Sequence, residues 1–189
     1  MTDAQLWQAL KKGDKSALER MYKEHAEALL SYGYRFAKNE QVAEDCVQEL
    51  FVDLWNKREK LGNNDHIAKY LFVALRRRII REIEQQRKRS ISDEPQEYHF
   101  QAEMAIDEIL ANAELSAEQA AKLRHSLESL SKRQREVIYL KYYTDLDYEG
   151  ISEVMGVSYQ SARNLVSTAL KALRKHLLIP LLWLIVNFF

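Results

Sequence analysis

Apolar residues along this chain recur at intervals of three and four rather than in alternation, which predicts amphipathic helices and very little strand. Asp3 is placed to cap a short helix carrying Trp7 and Leu10 and ending at Gly13. Asp14 can cap the next, in which Leu18, Met21, Tyr22, Leu29 and Tyr32 lie near helical spacing. A third helix starts at Asn39. At 100° per residue, Val47, Leu50, Phe51 and Leu54 share one face, and Asp45, Gln48, Glu49 and Asp53 share the opposite face. Phe51, Val52 and Trp55 border the acidic side. Such a polar face fits simple solvation, and it also fits a protein-docking surface, where aromatics anchor and charges orient.

Asp65 is placed to cap a fourth helix, from His66 to about Arg89. Arg76, Arg77 and Arg78 span about 200° of it and cannot all serve one face. Lys69 and Arg76 do share a face, with Arg77 and Tyr70 nearby, so cations and an aromatic are set to line a track for a nucleic-acid strand. The plainer alternative is a basic helix end favoured by the macrodipole.

Farther along, Ser131 and Gln134 have capping-box spacing and open a helix containing Val137, Ile138 and Leu140, which the stretch Thr144 to Asp147 breaks. Asp147 can cap a short helix to Met155, Gly156 suits a left-handed turn, and Ser158 can cap a helix from Tyr159 to about His176. Helix, glycine turn, helix is helix-turn-helix layout. On the last helix Ala162, Leu165, Val166, Ala169, Leu170 and Leu173 form one sector. Gln160, Arg163, Asn164, Ser167, Lys171 and Arg174 form the other. The outward face of such a helix enters the major groove, its N-terminal residues nearest the base edges. There Arg can read guanine, and Gln or Asn adenine. Lys171 and Arg174, farther along, are placed for phosphates. An ordinary amphipathic hairpin is the competing reading.

Composition agrees with an all-α protein. Only five Gly and two Pro occur in 189 residues, so turns and strands have little raw material. The single Cys46 cannot form an internal disulfide and suits a reducing compartment. The N-terminus, Met1 to Gln5, has neither basic nor apolar signal-peptide regions, and a cytoplasmic location is expected. Lys and Arg total 28, as do Asp and Glu, but the balance is local nowhere. Seven cations against Glu82 and Glu84 fill residues 76–89; eight carboxylates without one Lys or Arg fill residues 90–121. Overall neutrality therefore does not argue against a polyanionic partner. The sign change, with helix-breaking chemistry from Ser90 to Pro95, divides the chain into a domain at 1–90, an acidic linker at 91–120, a second domain at 121–177 and an apolar tail at 178–189.

The segment Asp45 to Trp55 resembles the core-polymerase-binding helix of bacterial sigma factors, and the end of the first domain resembles their promoter-melting helix. Residues 135–140 and 147–158 resemble the sigma region that reads the minus-thirty-five element. In order and spacing, over nearly its whole length, the chain is similar to the extracytoplasmic-function (ECF) sigma factors. The resemblance implies two small helical domains, and RNA polymerase core (β′ and β subunits) and promoter DNA as partners; an anti-sigma factor is compatible with it. It implies that Asp45, Gln48, Glu49, Phe51 and Trp55 meet the polymerase clamp, and that Asn63, Asn64, Lys69, Tyr70, Arg76 and Arg77 approach the opened minus-ten strand. Ser158, Tyr159, Gln160, Arg163, Asn164, Ser167, Lys171 and Arg174 then fall at the minus-thirty-five duplex. Stand-alone helix-turn-helix regulator and protein-binding helical adaptor are the rival readings.

Some positions depart from the family pattern. Gly150 sits inside a helix, at an expected cost of about 1 kcal/mol relative to Ala. Leu165 and Thr168 stand where many members carry Arg. Residues 178–189 are almost wholly apolar yet short of the ~20 residues that cross a bilayer. They are expected to fold over an apolar surface of this chain or of a partner. No phosphate loop, His-Glu-x-x-His or cysteine pair occurs, and the five histidines are scattered, so no catalytic residue, cofactor or metal site is expected.

Overall fold

The computed structural model describes residues 1–37, 39–89, 100 and 117–176. The chain divides into two units, Met1–Glu97 and Tyr98–Phe189, each with its own core. Every regular element among the described residues is helical.

In the first unit, α1 (Asp3–Lys11), α2 (Lys15–Ala37), α3 (Glu40–Lys57, followed by the 3-10 turn Arg58–Lys60) and α4 (Ile67–Arg89) pack on one another. Their apolar stripes supply a core that includes Leu10, Met21, Leu29, Leu71 and Leu75, each fully buried, and each such side chain stabilises by about 1.5–3 kcal/mol. Asp14 caps as the sequence predicts, and Asn39, where the sequence starts α3, turns out to be its cap. Asn39 Oδ1 accepts from Gln41 N at 3.0 Å, and Asp14 Oδ1 accepts from Ser16 N at 2.8 Å.

Two other expected caps are corrected. Thr2, not Asp3, caps α1, in a capping box with Gln5. Asp3 instead reaches across the unit, where its Oδ2 accepts from Ile67 N at 2.8 Å and satisfies the start of α4, the role expected of Asp65. Local spacing cannot distinguish a carboxylate that caps its own helix from one that caps a helix 64 positions away.

In the second unit, α5 (Ala117–Glu128), α6 (Lys132–Tyr142), α7 (Tyr148–Met155) and α8 (Tyr159–His176) surround a core of Val137, Leu140, Ile151, Ala162, Val166 and Leu173. The Ser131–Gln134 capping box forms, and Asp147 Oδ1 accepts from Gly150 N at 2.7 Å. The break between α6 and α7 passes through Asp145, which has a left-handed φ of 51°. Gly156 closes α7 with φ 63° and ψ 41°, a conformation that a Cβ would penalise. Ser158 Oγ then caps α8 through Ser161 N at 3.1 Å.

Gly150 is a further correction. An added Cβ would lie 3.1 Å from Asp147 Oδ1 and 3.3 Å from Leu146 Cδ2, so the missing side chain makes room for the cap. Helix α5 begins inside the segment read as linker. Phe100, also in that segment, is buried against Tyr139, with ring centroids 5.7 Å apart. The rest of the expected linker, 91–99 and 101–116, and the apolar tail, 178–189, lie outside the described residues.

Candidate protein- and nucleic-acid-binding surfaces

Three surfaces carry the candidate residues. On α3, Asp45, Gln48 and Glu49 are exposed and Asp53 is partly so, as the helical spacing predicts. The carboxylates are not bare. Arg78, projecting from α4, pairs with both Glu49 and Asp53, and Lys57 Nζ meets Asp53 Oδ2 at 3.0 Å. The Lys57 hydrogen bond, aided by Arg78, holds the Asp53 carboxyl below its usual range. Gln41 Nε2 donates to Asp45 Oδ1 at 3.0 Å. Thus Arg78 serves the acidic face, apart from Arg76 and Arg77, which resolves how three consecutive arginines are shared. That cross-helix pairing has no signature in local spacing.

The aromatic border differs from the expectation in one respect. Phe51 is only 5% exposed and packs edge-on against Tyr22, centroids 5.0 Å apart, so it belongs to the core. Its place on the wheel with Val47, Leu50 and Leu54 carries that signal. The apolar groups that do face outward are Val52, 59% exposed, and Tyr22, 44% exposed. Trp55 is half-buried beneath the Arg58 guanidinium, whose carbon lies 4.4 Å from the ring centroid. Arg58 Nη1 also donates to Trp55 O at 2.8 Å.

The second surface is the loop before α4 together with the first turns of that helix. Helix α1 fastens it from below. Trp7 Nε1 donates to Gly62 O at 2.9 Å, and Gln8 Nε2 donates to Asn63 Oδ1 at 3.1 Å. Asn64 bonds locally, its Oδ1 accepting from His66 N at 3.2 Å. Tyr70 stacks edge-on against the buried Trp7, centroids 4.9 Å apart, and burial pushes its phenol pKa up. Lys69, Tyr70 and Arg76 are partly exposed and Arg77 fully so. The Arg76 guanidinium lies over the Phe36 ring at 5.4 Å. The structure brings Asn63, Asn64 and Tyr70 onto one end of the unit, where α1 supports them; the helical pattern of α4 alone gives no sign of this support.

The third surface is the outer face of α8. Ser158, Tyr159, Gln160, Arg163, Asn164, Ser167, Lys171 and Arg174 are all exposed, opposite buried Ala162, Val166, Ala169 and Leu173. Gln160 Nε2 donates to Asn164 Oδ1 at 3.1 Å, which joins two base-reading candidates into one unit. Ser158 spends its hydroxyl on the cap. Thr168 turns its hydroxyl back to Asn164 O at 2.8 Å and so offers a neutral surface between the cations. Among the described residues no cluster of His, Cys, Asp and Glu is arranged to hold a metal, and no helix is long and apolar enough to cross a membrane.

Comparison with known proteins matches both units in order. The family model "Sigma-70 region 2" covers residues 21–89, and "Sigma-70, region 4" covers residues 120–173. The ECF RNA polymerase sigma factor SigL of Mycobacterium tuberculosis is 28% identical over 158 residues, which span 83% of this chain and 86% of SigL. The RNA polymerase sigma factor SigV of Bacillus subtilis is 24% identical over 164 residues, 87% and 93% of the two chains. Among solved structures, CnrH in complex with the cytosolic domain of CnrY is similar at a TM-score of 0.61 and 18% identity, over 92% of this chain and 95% of CnrH. RpoE of Bartonella quintana, solved with the anti-sigma factor NepR, gives 0.57 at 18% identity, over 83% and 94%.

Proposed function

We propose a division of labour for this chain, which belongs to the extracytoplasmic-function sigma factors of RNA polymerase and directs promoter-specific initiation of transcription. The outer face of α3 docks on polymerase core through Asp45, Gln48 and Glu49, with Val52 and the edge of Trp55 as apolar contacts. The loop carrying Asn63 and Asn64, with Lys69, Tyr70, Arg76 and Arg77, receives the unpaired minus-ten strand. Helix α8 reads the minus-thirty-five duplex, with Gln160, Arg163 and Asn164 at base edges and Lys171 and Arg174 at phosphates. Stacking of splayed bases on an aromatic offsets part of the cost of unpairing them.

The observation that carries this reading is the exposure of the polar residues of α8 from Tyr159 to Arg174 behind a glycine-turned α7, in the unit that follows the α3 docking face. In domain terms, residues 1–90 act on core and the melted strand, 121–177 act on duplex, 91–120 link them, and 178–189 form an apolar tail that covers a surface of this chain or of a partner. The chain acts in the cytoplasm, beside polymerase and chromosome. The family is not one of enzymes, and no catalytic step is assigned to the chain. An anti-sigma factor as regulator is supported by the likeness to RpoE, solved with such a partner. Reconstitution with core polymerase tests the whole: the chain should confer initiation at a subset of promoters that core alone ignores, and weakened core association on Val52→Glu should reduce it.

A further inference from the structure

The loop given above to the melted strand is held from outside by a helix to which no role has been assigned. Three residues of α1 grip it in succession. Asp3 Oδ2 accepts from Ile67 N at 2.8 Å, Trp7 Nε1 donates to the Gly62 carbonyl at 2.9 Å, and between these two backbone anchors Gln8 Nε2 donates to Asn63 Oδ1 at 3.1 Å. Trp7 is 1% exposed and braces Tyr70 edge-on, so the platform under the loop is part of the core. Gln8 and Asn63 are themselves exposed. An amide pair fixed at both flanks by buried or backbone contacts loses little further entropy when it binds a ligand.

The pairing also sets a chemical polarity. An asparagine amide offers an acceptor at Oδ1 and two donors at Nδ2. Gln8 fills a lone pair of Oδ1, and Nδ2 keeps its two N–H groups for a ligand. A base entering the loop therefore meets two free donors against one remaining lone pair, a surface weighted toward donation. Thymine and guanine carry a keto oxygen at the exocyclic position of the Watson–Crick edge, whereas cytosine and adenine carry an amino group that is itself a donor. We propose that Gln8 is a positioning residue that orients the Asn63 amide, so that the loop selects an unpaired keto base, thymine or guanine, at one position of the melted strand. The inference rests on the assignment of this loop to the minus-ten strand.

The test uses holoenzyme assembled from core polymerase and the full chain, bound to fork-junction DNA with all four bases placed in turn at each unpaired position. At one position thymine and guanine should outcompete adenine and cytosine by about three- to tenfold, the worth of one net hydrogen bond. Gln8→Leu should flatten that ratio to less than about twofold. Gln8→Glu can only accept, so it should draw in the Asn63 Nδ2 donor, turn Oδ1 toward the base and shift preference to adenine and cytosine. Gln8→Lys, a donor like the native amide, should retain the keto preference. A ratio that is flat in the native chain, or unchanged in both Gln8→Leu and Gln8→Glu, overturns the proposal. A holoenzyme that binds duplex minus-thirty-five DNA but no fork at all overturns the minus-ten assignment, and the inference falls with it. Ratios within one variant cancel any general loss of affinity, including that from the added charge of Gln8→Glu.

Discussion

Neighbouring side chains of one helix divide into those that hold the fold and those that meet partners, and substitutions should separate them. Phe51→Ala empties a buried aromatic site against Tyr22 and should cost about 3 kcal/mol or more of stability, read as a lowered midpoint in urea. Val52→Glu lies on the exposed side of α3; it should leave that midpoint nearly unchanged and weaken core binding about tenfold. Arg163→Ala should cost about 1–3 kcal/mol of discrimination among minus-thirty-five sequences in competition binding, with core association intact. Cys46 is buried, and burial pushes its thiol up to about 11 from an ordinary 9.0. Because the folded pKa is the higher one, the neutral thiol favours the native state below pH 9.0, and that contribution is lost as pH rises toward 11. Native protein at pH 8 should react with a thiol reagent only at its opening rate, while Cys46→Ala should flatten the alkaline fall in stability.

At the scale of elements, most caps that act within four residues were legible, that of Thr2 excepted. Asp14, Ser131 and Asp147 combine a short polar side chain with the onset of an apolar period, and each forms its predicted bond. What spacing could not show are the bonds between elements, Asp3 to α4 and Arg78 to α3, since any of several carboxylates and arginines satisfies the same pattern. Gly150 shows how a propensity rule yields to packing. Gly150→Ala should not bring the roughly 1 kcal/mol that helix propensity promises, because its Cβ crowds the Asp147 cap. Gly156→Ala should cost about 1–2 kcal/mol, because the left-handed turn that aims α8 has no low-energy Ala equivalent. Thermal melts of the two variants decide both.

For the whole molecule, the equality of positive and negative charge conceals surfaces of opposite character. Carboxylates gather on the outer face of α3, while Arg163, Lys171 and Arg174 line α8. Two cations at phosphates, Lys171 and Arg174, should give duplex binding a slope of about −2 in log affinity against log salt. Lys171→Ala should make it shallower by about one, weakening all duplex sequences alike. The two-unit plan was readable from the charge reversal after Arg89 and from the ordered motifs, because those features are local in sequence. Which polar atoms stay available to a ligand was not, since that depends on partners such as Gln8 and Arg78 that lie on other helices.

The most direct measurement is multi-round transcription by purified core polymerase, supplied with this chain and a library of promoter fragments. Addition of the chain should yield transcripts from a restricted set of templates sharing spaced minus-thirty-five and minus-ten elements, and Val52→Glu and Arg163→Ala should each reduce them. A chain that binds duplex DNA yet neither joins core nor changes which templates are transcribed would contradict the division of labour assigned here.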